Sequence, residues 1–459
     1  MRPLVGAALC LLLGLSACSN PRRQPPAEAA VRLPSGWRDG APASAGDALV
    51  AADWWEQFHD PQLTSVVQRA LAHNADLHSA VARVAEVRAQ YRLSEEQMHM
   101  HGGLQLDGGR QSAPNAFGKQ LIQTPRQWQF VSAYDADLFG RLAHSTAAAH
   151  ASLLATLAAK QTVQLSVVAS AAGGYLHLQA LDERLHILKA TLAARSAALQ
   201  VARRRAEQGY AAQLEPAQAE AEWQATAQQI APLELAVRRQ EHALSVLLGE
   251  APQLIVRSSG AAEAAPTVPA GLPSSLLRRR PDVVQAEMQL VAADRSLDAA
   301  RDAFLPSVRL TLAGGYADSD AIAHPIKLFQ LGGSVLAPIF ERERLQIQED
   351  GATARRDQAA FAYRKAVLTA LREVEDALAA IAASAAQERQ LAAQRDAQAR
   401  LLAMAGKRYR AGYAGYLEQI DAQRGLLAVE LSLVQARDER RQATVALFQS
   451  LGGGWQAVD

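Results

Sequence analysis

Residues 141–208 read RLAHSTAAAHASLLATLAAKQTVQLSVVASAAGGYLHLQALDERLHILKATLAARSAALQVARRRAEQ, without a proline and with Gly173 and Gly174 as the only glycines. Nothing in this run removes a backbone donor or demands a left-handed residue, so it can stay helical from end to end. At the α-helical rise it is about 100 Å long. Leu178, Leu185, Leu192 and Leu199 recur every seven residues, with Leu181 and Leu188 between them, which is the seam of a coiled coil. Gly209 then stands where a helix end reverses the chain, and Leu214 to Leu248 reads as the returning helix.

The same pattern is written twice. Gly209-Tyr210-Ala211 returns as Gly412-Tyr413-Ala414, Leu214-Glu215 as Leu417-Glu418 and Leu248-Gly249 as Leu451-Gly452, always 203 residues on. Earlier, Asp76 matches Asp282, and Leu104, Leu106, Gly108 and Gly109 match Leu310, Leu312, Gly314 and Gly315, at an offset of 206. Leu138-Phe139 matches Ile339-Phe340 at 201. Internal repeats of this kind outrank every other sequence signal. They divide the chain into repeat one (62–256) and repeat two (257–459), each a helix, two strands, a very long helix, a glycine and a second helix. Arg342 to Ala411 is the second long helix. Gln62 to Gln97 reads as one helix, and with Leu214 to Leu248 it matches the long helix in length, so the two shorter helices are expected to stack end to end against it.

The expected strands are Gly103–Arg110, Gln127–Asp135, Val308–Tyr316 and Lys327–Leu336, with a loop at Pro114, Asn115 and Gly118 between the first two. Leu104 and Leu106 alternate with Gln105 and Asp107, and Trp128, Phe130 and Tyr134 share a face opposite Gln127, Gln129 and Asp135. No other segment is available to cover the apolar face, which favours lipid over a soluble sandwich. A sheet in lipid must close on itself, and the smallest membrane barrels need about eight strands. Four strands per chain therefore imply an oligomer: two chains would supply eight, three would supply twelve.

The start of the chain sets the compartment. Arg2, the apolar run Leu4 to Leu15 and the small residues after it form a secretory signal over residues 1–17. Leu15-Ser16-Ala17-Cys18 resembles a bacterial lipobox, in which Cys18 becomes the N-terminus and carries a covalent lipid; Cys10 leaves with the signal. Ser19 behind the cysteine, by resemblance to lipoprotein sorting, directs the chain to the outer membrane. Residues 18–61, rich in Pro, Ala and Gly at first, read as a lipidated tether. With 47 basic against 46 acidic residues the chain has no bulk attraction for nucleic acid.

The motifs carry a resemblance over essentially the whole mature chain. Trp54-Trp55 with Phe58 and Asp60-Pro61, Asn74-Ala75-Asp76-Leu77, Asp137-Leu138-Phe139-Gly140-Arg141, Leu277-Arg278-Arg279-Arg280-Pro281-Asp282 with Ala286-Glu287, and Ala337-Pro338-Ile339-Phe340 are similar to the outer membrane factor (TolC-like) family, in its NodT-type lipoprotein branch. Ala75 and Tyr134 stand where that family commonly has proline and tryptophan. The resemblance implies an α plus membrane β-barrel fold: a homotrimer with a twelve-stranded barrel in the lipid of a Gram-negative outer membrane and an α-helical periplasmic tunnel. It implies a passive exit duct for small molecules, working with a periplasmic adaptor protein and an inner-membrane transporter of the RND type. A type I protein-secretion duct uses the same architecture.

No nucleophile–base pair, phosphate loop or metal-ligand spacing is present, so neither an enzyme nor a cofactor is expected. Leu417, Asp421 and Arg424 fall at i, i+4 and i+7, on one helical face just past Gly412. On a three-fold axis each becomes a ring: leucines close a pore by dewetting, and carboxylates bind cations. The resemblance places these residues at the periplasmic gate, with Tyr409 tying neighbouring helices and Glu215 and Glu418 adding charge at the mouth. The plainer alternative is an ordinary Asp421–Arg424 pair on a solvated helix. Met98-His99-Met100-His101 carries ligands suited to soft metals, but it straddles a helix-to-strand junction where successive residues diverge, and no metal is expected.

Overall fold

The computed structural model describes residues 24–38, 51–114, 116–258, 266–268, 273, 276–320 and 322–455. Eight α-helices and six strands are found among them: α1 Pro61–His73, α2 Ala75–Glu96, β1 His101–Gly108, β2 Gln111–Pro114, β3 Gln120–Gln123, β4 Arg126–Ala136, α3 Arg141–Glu207, α4 Leu214–Leu247, α5 Leu276–Arg279, α6 Pro281–Asp302, β5 Ser307–Asp318, β6 Ile326–Leu336, α7 Arg342–Arg410 and α8 Tyr416–Ser450. The signal and Cys18 lie outside the described residues.

One four-stranded antiparallel sheet runs in the order β1-β4-β5-β6, so each repeat supplies two neighbouring strands and β1 and β6 are left as edges. Its register places Leu104 opposite Phe130, Leu106 opposite Trp128, Trp128 opposite Tyr316 and Leu312 opposite Ser132 and Leu331, all on one face. Gln105 meets Gln129, and Thr311 meets Ala133 and Gly332, on the other face. Trp128 and Phe130 are exposed while Gln127, Gln129 and Val131 are half-buried, so the polar face is the concave one. No described helix is long and apolar enough to cross a membrane; the outer face of this sheet exposes Leu104, Leu106, Trp128, Phe130, Phe329 and Leu331 side by side.

The loop expected between the first two strands contains a further hairpin, β2 with β3. Ser112, Ala113 and Pro114 give it no alternation to read; its strands pair from Gln111 with Gln123 to Pro114 with Gln120.

The long helices α3 and α7 span 67 and 69 residues. The helix expected over Gln62–Gln97 is two helices, broken at Asn74. Asn74 is extended (φ −64°, ψ 127°), its side-chain oxygen accepts from the Leu77 N–H at 3.0 Å, and its Nδ2 donates to the Leu247 carbonyl at 2.9 Å. An asparagine cap starts a new helix here because that cap also binds the end of another. The α4 end thereby abuts the α1–α2 break, and the short helices do stack end to end along α3. Repeat two builds the same joint with other atoms: Arg280 Nη1 donates to the Ser450 carbonyl at 3.2 Å, and Ser450 is Leu247 advanced by 203. Gly249 and Gly452, at φ 71° and 90°, lie so near His73 O and Arg279 O that a Cβ would come within 2.3 and 2.1 Å.

Much of the expected tether is packed. The 3-10 turn Trp54–Phe58 sits in the largest apolar cluster, where α1, α3, α4 and α8 meet, with Trp54 stacked on Phe448 at 4.7 Å. Upstream, Val31 and Leu33 pack with Val283 and Val367, and Trp37 with Val374 and Ala377. The Arg38 N–H donates to Glu375 at 3.0 Å and Arg364 to the Ala30 carbonyl at 3.2 Å. A few apolar residues within Pro/Ala-rich chain suffice to lay the segment along α7.

Candidate functional site

The end of the helical hairpins farthest from the sheet is built by two glycine turns. Behind α3, Gly209 N–H donates to Ala206 O at 3.1 Å and Tyr210 N–H to Arg205 O at 2.8 Å; behind α7, Gly412 donates to Tyr409 O at 3.1 Å and Tyr413 to Arg408 O at 2.9 Å. Both are Schellman turns, with glycine φ of 76° and 79°, which a side-chain-bearing residue rarely adopts.

Just inside these turns the two hairpins are tied together. Tyr409 on α7 is buried; its hydroxyl donates to Glu215 Oε2 on α4 at 2.9 Å, and the Arg205 guanidinium lies 4.9 Å over its ring. Burial and the Glu215 hydrogen bond push the Tyr409 phenol up to about 12. Tyr416, at the start of α8, packs its ring 5.3 Å from that of Tyr409. Glu418, expected with Glu215 to add negative charge at the mouth, pairs with Arg408 at 3.2 Å.

Leu417, Asp421 and Arg424 share the expected face of α8. Leu417 is 55% exposed, and the side chains of Asp421 and Arg424 are 64% and 58% exposed. Asp421 and Arg424 approach to 3.7 Å, but the pair is not Arg424's main contact. Its Nε donates to Glu222 Oε1 at 2.9 Å and its Nη2 reaches the same oxygen, crossing from α8 to α4. That hydrogen bond raises the Arg424 pKa above the ordinary arginine value. Glu222 in turn is buried against Arg195 of α3, whose Nη1 lies 3.1 Å from Oε2 and donates to the Glu222 carbonyl at 2.8 Å and Thr226 Oγ1 at 2.5 Å. Arg195, Glu222 and Thr226 were not singled out from the sequence. Glu222 lies seven residues past Glu215, on the same face of α4, and that spacing was the available signal.

The concave face of the sheet is polar. Arg309 and Asp135 pair at 3.4 Å across β5 and β4, and Gln105 donates to Asp107 at 2.9 Å and accepts from Gln129 at 3.4 Å. Met98 to Met100 follow α2 and His101 opens β1; the His101 Nδ1 lies 3.3 Å from the His99 carbonyl. Among the described residues no group of three His, Cys, Asp or Glu is placed to hold a metal.

The sequence matches the family model described as "Outer membrane efflux protein" over residues 66–250 and 272–453, one stretch in each repeat. It is 32% identical over 464 residues to the "Pyoverdine export outer membrane protein OpmQ" of Pseudomonas putida, covering 98% of both chains. It is also 32% identical to the "Toluene efflux pump outer membrane protein TtgC" of Pseudomonas putida, covering 98% of this chain and 95% of that one. Among solved structures, the outer-membrane channel OprN superposes with a TM-score of 0.87 at 27% identity, over 95% of this chain and 99% of that one.

Proposed function

The chain belongs to the outer membrane efflux protein family, and from that premise we propose that it is the exit channel of a tripartite efflux pump, working passively as a lipid-anchored homotrimer. The observation that carries this reading is the sheet: apolar on its outer face, polar on its concave face, and open at the edges β1 and β6. Backbone groups on an open edge cannot be left in hydrocarbon. Three copies of four strands, with β6 of one protomer pairing β1 of the next, close a twelve-stranded barrel whose polar face lines the duct. The paired α-helices then continue as the wall of a periplasmic tunnel about 100 Å long.

Leu417, Asp421 and Arg424, three times over, narrow the far end of that tunnel, and the turns at Gly209 and Gly412 form its mouth. A periplasmic adaptor protein docks there and an inner-membrane transporter of the RND type delivers the cargo. The lipid on Cys18 holds the N-terminus at the outer membrane. The cargo is a small molecule, as the names of the pyoverdine and toluene exporters indicate for those relatives. The test is fractionation and conductance. The protein should sit in the outer-membrane fraction, migrate as a heat-modifiable trimer and give discrete channels in planar bilayers. A monomer in the soluble periplasmic fraction would overturn the reading.

A further inference from the structure

We infer that Arg195 and Glu222 are positioning residues of the tip: a permanent buried anion socket into which Arg424 of α8 latches reversibly. The inference rests on the reading of the tip as a gate.

The two oxygens of Glu222 are divided between two arginines. Oε2 faces Arg195, which is buried on α3 and also bonds the Glu222 carbonyl and the fully buried Thr226 hydroxyl. Oε1 faces Arg424, whose side chain is 58% exposed against 8% for Glu222. The two ties are therefore unequal. Arg195 sits inside its own hairpin and has nowhere to go, whereas Arg424 arrives from the other hairpin and can leave into water. When it leaves, Glu222 still has Arg195, so no uncompensated buried charge is created. A carboxylate held in this way waits for Arg424 to return. Without Arg195, detachment would leave a bare carboxylate in a buried site, which disfavours detachment.

The internal repeat supplies a control. Advanced by 203 residues, Arg195, Glu222 and Thr226 become Gln398, Gly425 and Val429. Gly425 faces the Gln398 side chain, whose Oε1 lies 2.9 Å from where a Cβ would stand, and Val429 is buried. The same packing site exists in both hairpins, but only repeat one carries the charges. Packing thus does not require Arg195 or Glu222. Their partner Arg424 lies on the opposite hairpin, beside Gly425, so the charged triplet serves the contact between hairpins. Other polar and charged groups near the socket are the neutral Tyr416 phenol on α8, Asp421 through Arg424, and Glu215 at the neighbouring Tyr409 tie.

Three variants of the full-length trimer test this, each checked for heat-modifiable assembly and read as conductance in planar bilayers. Glu222→Gln removes the socket's charge, and about a tenfold shift from closed toward open is expected. Arg195→Met leaves Glu222 as an uncompensated buried charge whenever Arg424 detaches, so it should conduct less than the parent, whereas loss of a purely structural residue would loosen the tip and raise conductance. The triple variant Arg195→Gln, Glu222→Gly, Thr226→Val installs repeat two's own packing, and should assemble normally and leak. Parental conductance from Glu222→Gln and from the triple variant would overturn the socket. Arg424→Ala separates the two levels: if it opens the channel while Glu222→Gln does not, the socket fails and the gate stands; if assembled Arg424→Ala trimers conduct like the parent, the gate reading itself fails.

Discussion

Leu312 lies at the middle of β5, six residues into a twelve-residue strand, and shares a face with Phe130, Trp128, Leu104 and Leu331. Its neighbour Thr311 points the opposite way, with its hydroxyl 3.5 Å from the Gly332 carbonyl on the concave side. Replacing each with arginine therefore puts the same charge at the same height on opposite faces. On the outer face at mid-bilayer an arginine costs about 2–4 kcal/mol. A trimer carries the change three times, so assembly loses about 6–12 kcal/mol, comparable to the whole stability of many domains. On the inner face the guanidinium stays in channel water, and the cost falls to about 0.5 kcal/mol or less. The assay is the fraction of outer-membrane protein that migrates as trimer in unheated against heated samples. Leu312→Arg should abolish most of the trimer band, and Thr311→Arg should leave it and alter conductance. Equal assembly of the two variants would refute both the face assignment and the closed barrel.

Cys18→Ser should abolish labelling by radioactive palmitate, since no other cysteine survives removal of residues 1–17; undiminished label would remove the lipid from the account. Tyr409→Phe keeps the ring against Arg205 and Tyr416 but loses the bond to Glu215, weakening the closed tip by about 1 kcal/mol, a roughly fivefold rise in open probability in single-channel records. His177 on α3 pairs with Asp438 on α8 at 2.7 Å, and the hydrogen bond to Asp438 raises its pKa above the ordinary 6.5. A raised histidine pKa stabilises fully below the unfolded value, and that contribution is lost as pH rises through the folded one. Melting of His177→Gln should therefore fall furthest below the parent at about pH 5–6 and converge with it at alkaline pH; a constant gap would refute the pairing.

The architecture was legible because it rests on long-range periodicity. Proline-free windows, a seven-residue leucine seam and glycines in register locate α3, α7 and both turns to within a residue or two. What escaped was decided by single polar side chains. Asn74 looks like an ordinary helical residue until the Leu247 carbonyl is known to lie 2.9 Å away. Val31, Leu33 and Trp37 have no periodicity, so a docked segment reads as a tether. At the tip, Leu417, Asp421 and Arg424 could be placed on one face by counting. That Arg424 prefers Glu222 to Asp421 could not, because Glu222 is 202 residues away and reaches it only when the two hairpins lie side by side.

The distribution of ties along α8 then dictates how this helix can move. Toward its C-terminal end it is held on every side: Asp438 by His177 at 2.7 Å, Arg440 by Glu388 at 2.9 Å, Gln442 by the Gly173 carbonyl at 3.0 Å, Phe448 under Trp54, and Ser450 by Arg280. Arg280 is itself buried and anchored to Asp282 and to Glu373 at 2.7 Å. At the tip, α8 puts Tyr416 and Ile420 into a small apolar cluster with Leu199, Ala202, Ala219 and Tyr409, and adds the Arg424–Glu222 bridge to α4 and the Glu418–Arg408 pair to α7, both formed by exposed cations. Exposed pairs contribute little and exchange readily with water, whereas the joint at Arg280 combines buried charge with the main apolar cluster. Displacement of α8 therefore pivots at the Ser450 end. With an arm of about 50 Å, a swing of about 10° would carry the Leu417 end about 9 Å, the scale that the proposed gate requires. Such a lever needs its far end to be weakly and reversibly held, and that is how Arg424 meets Glu222.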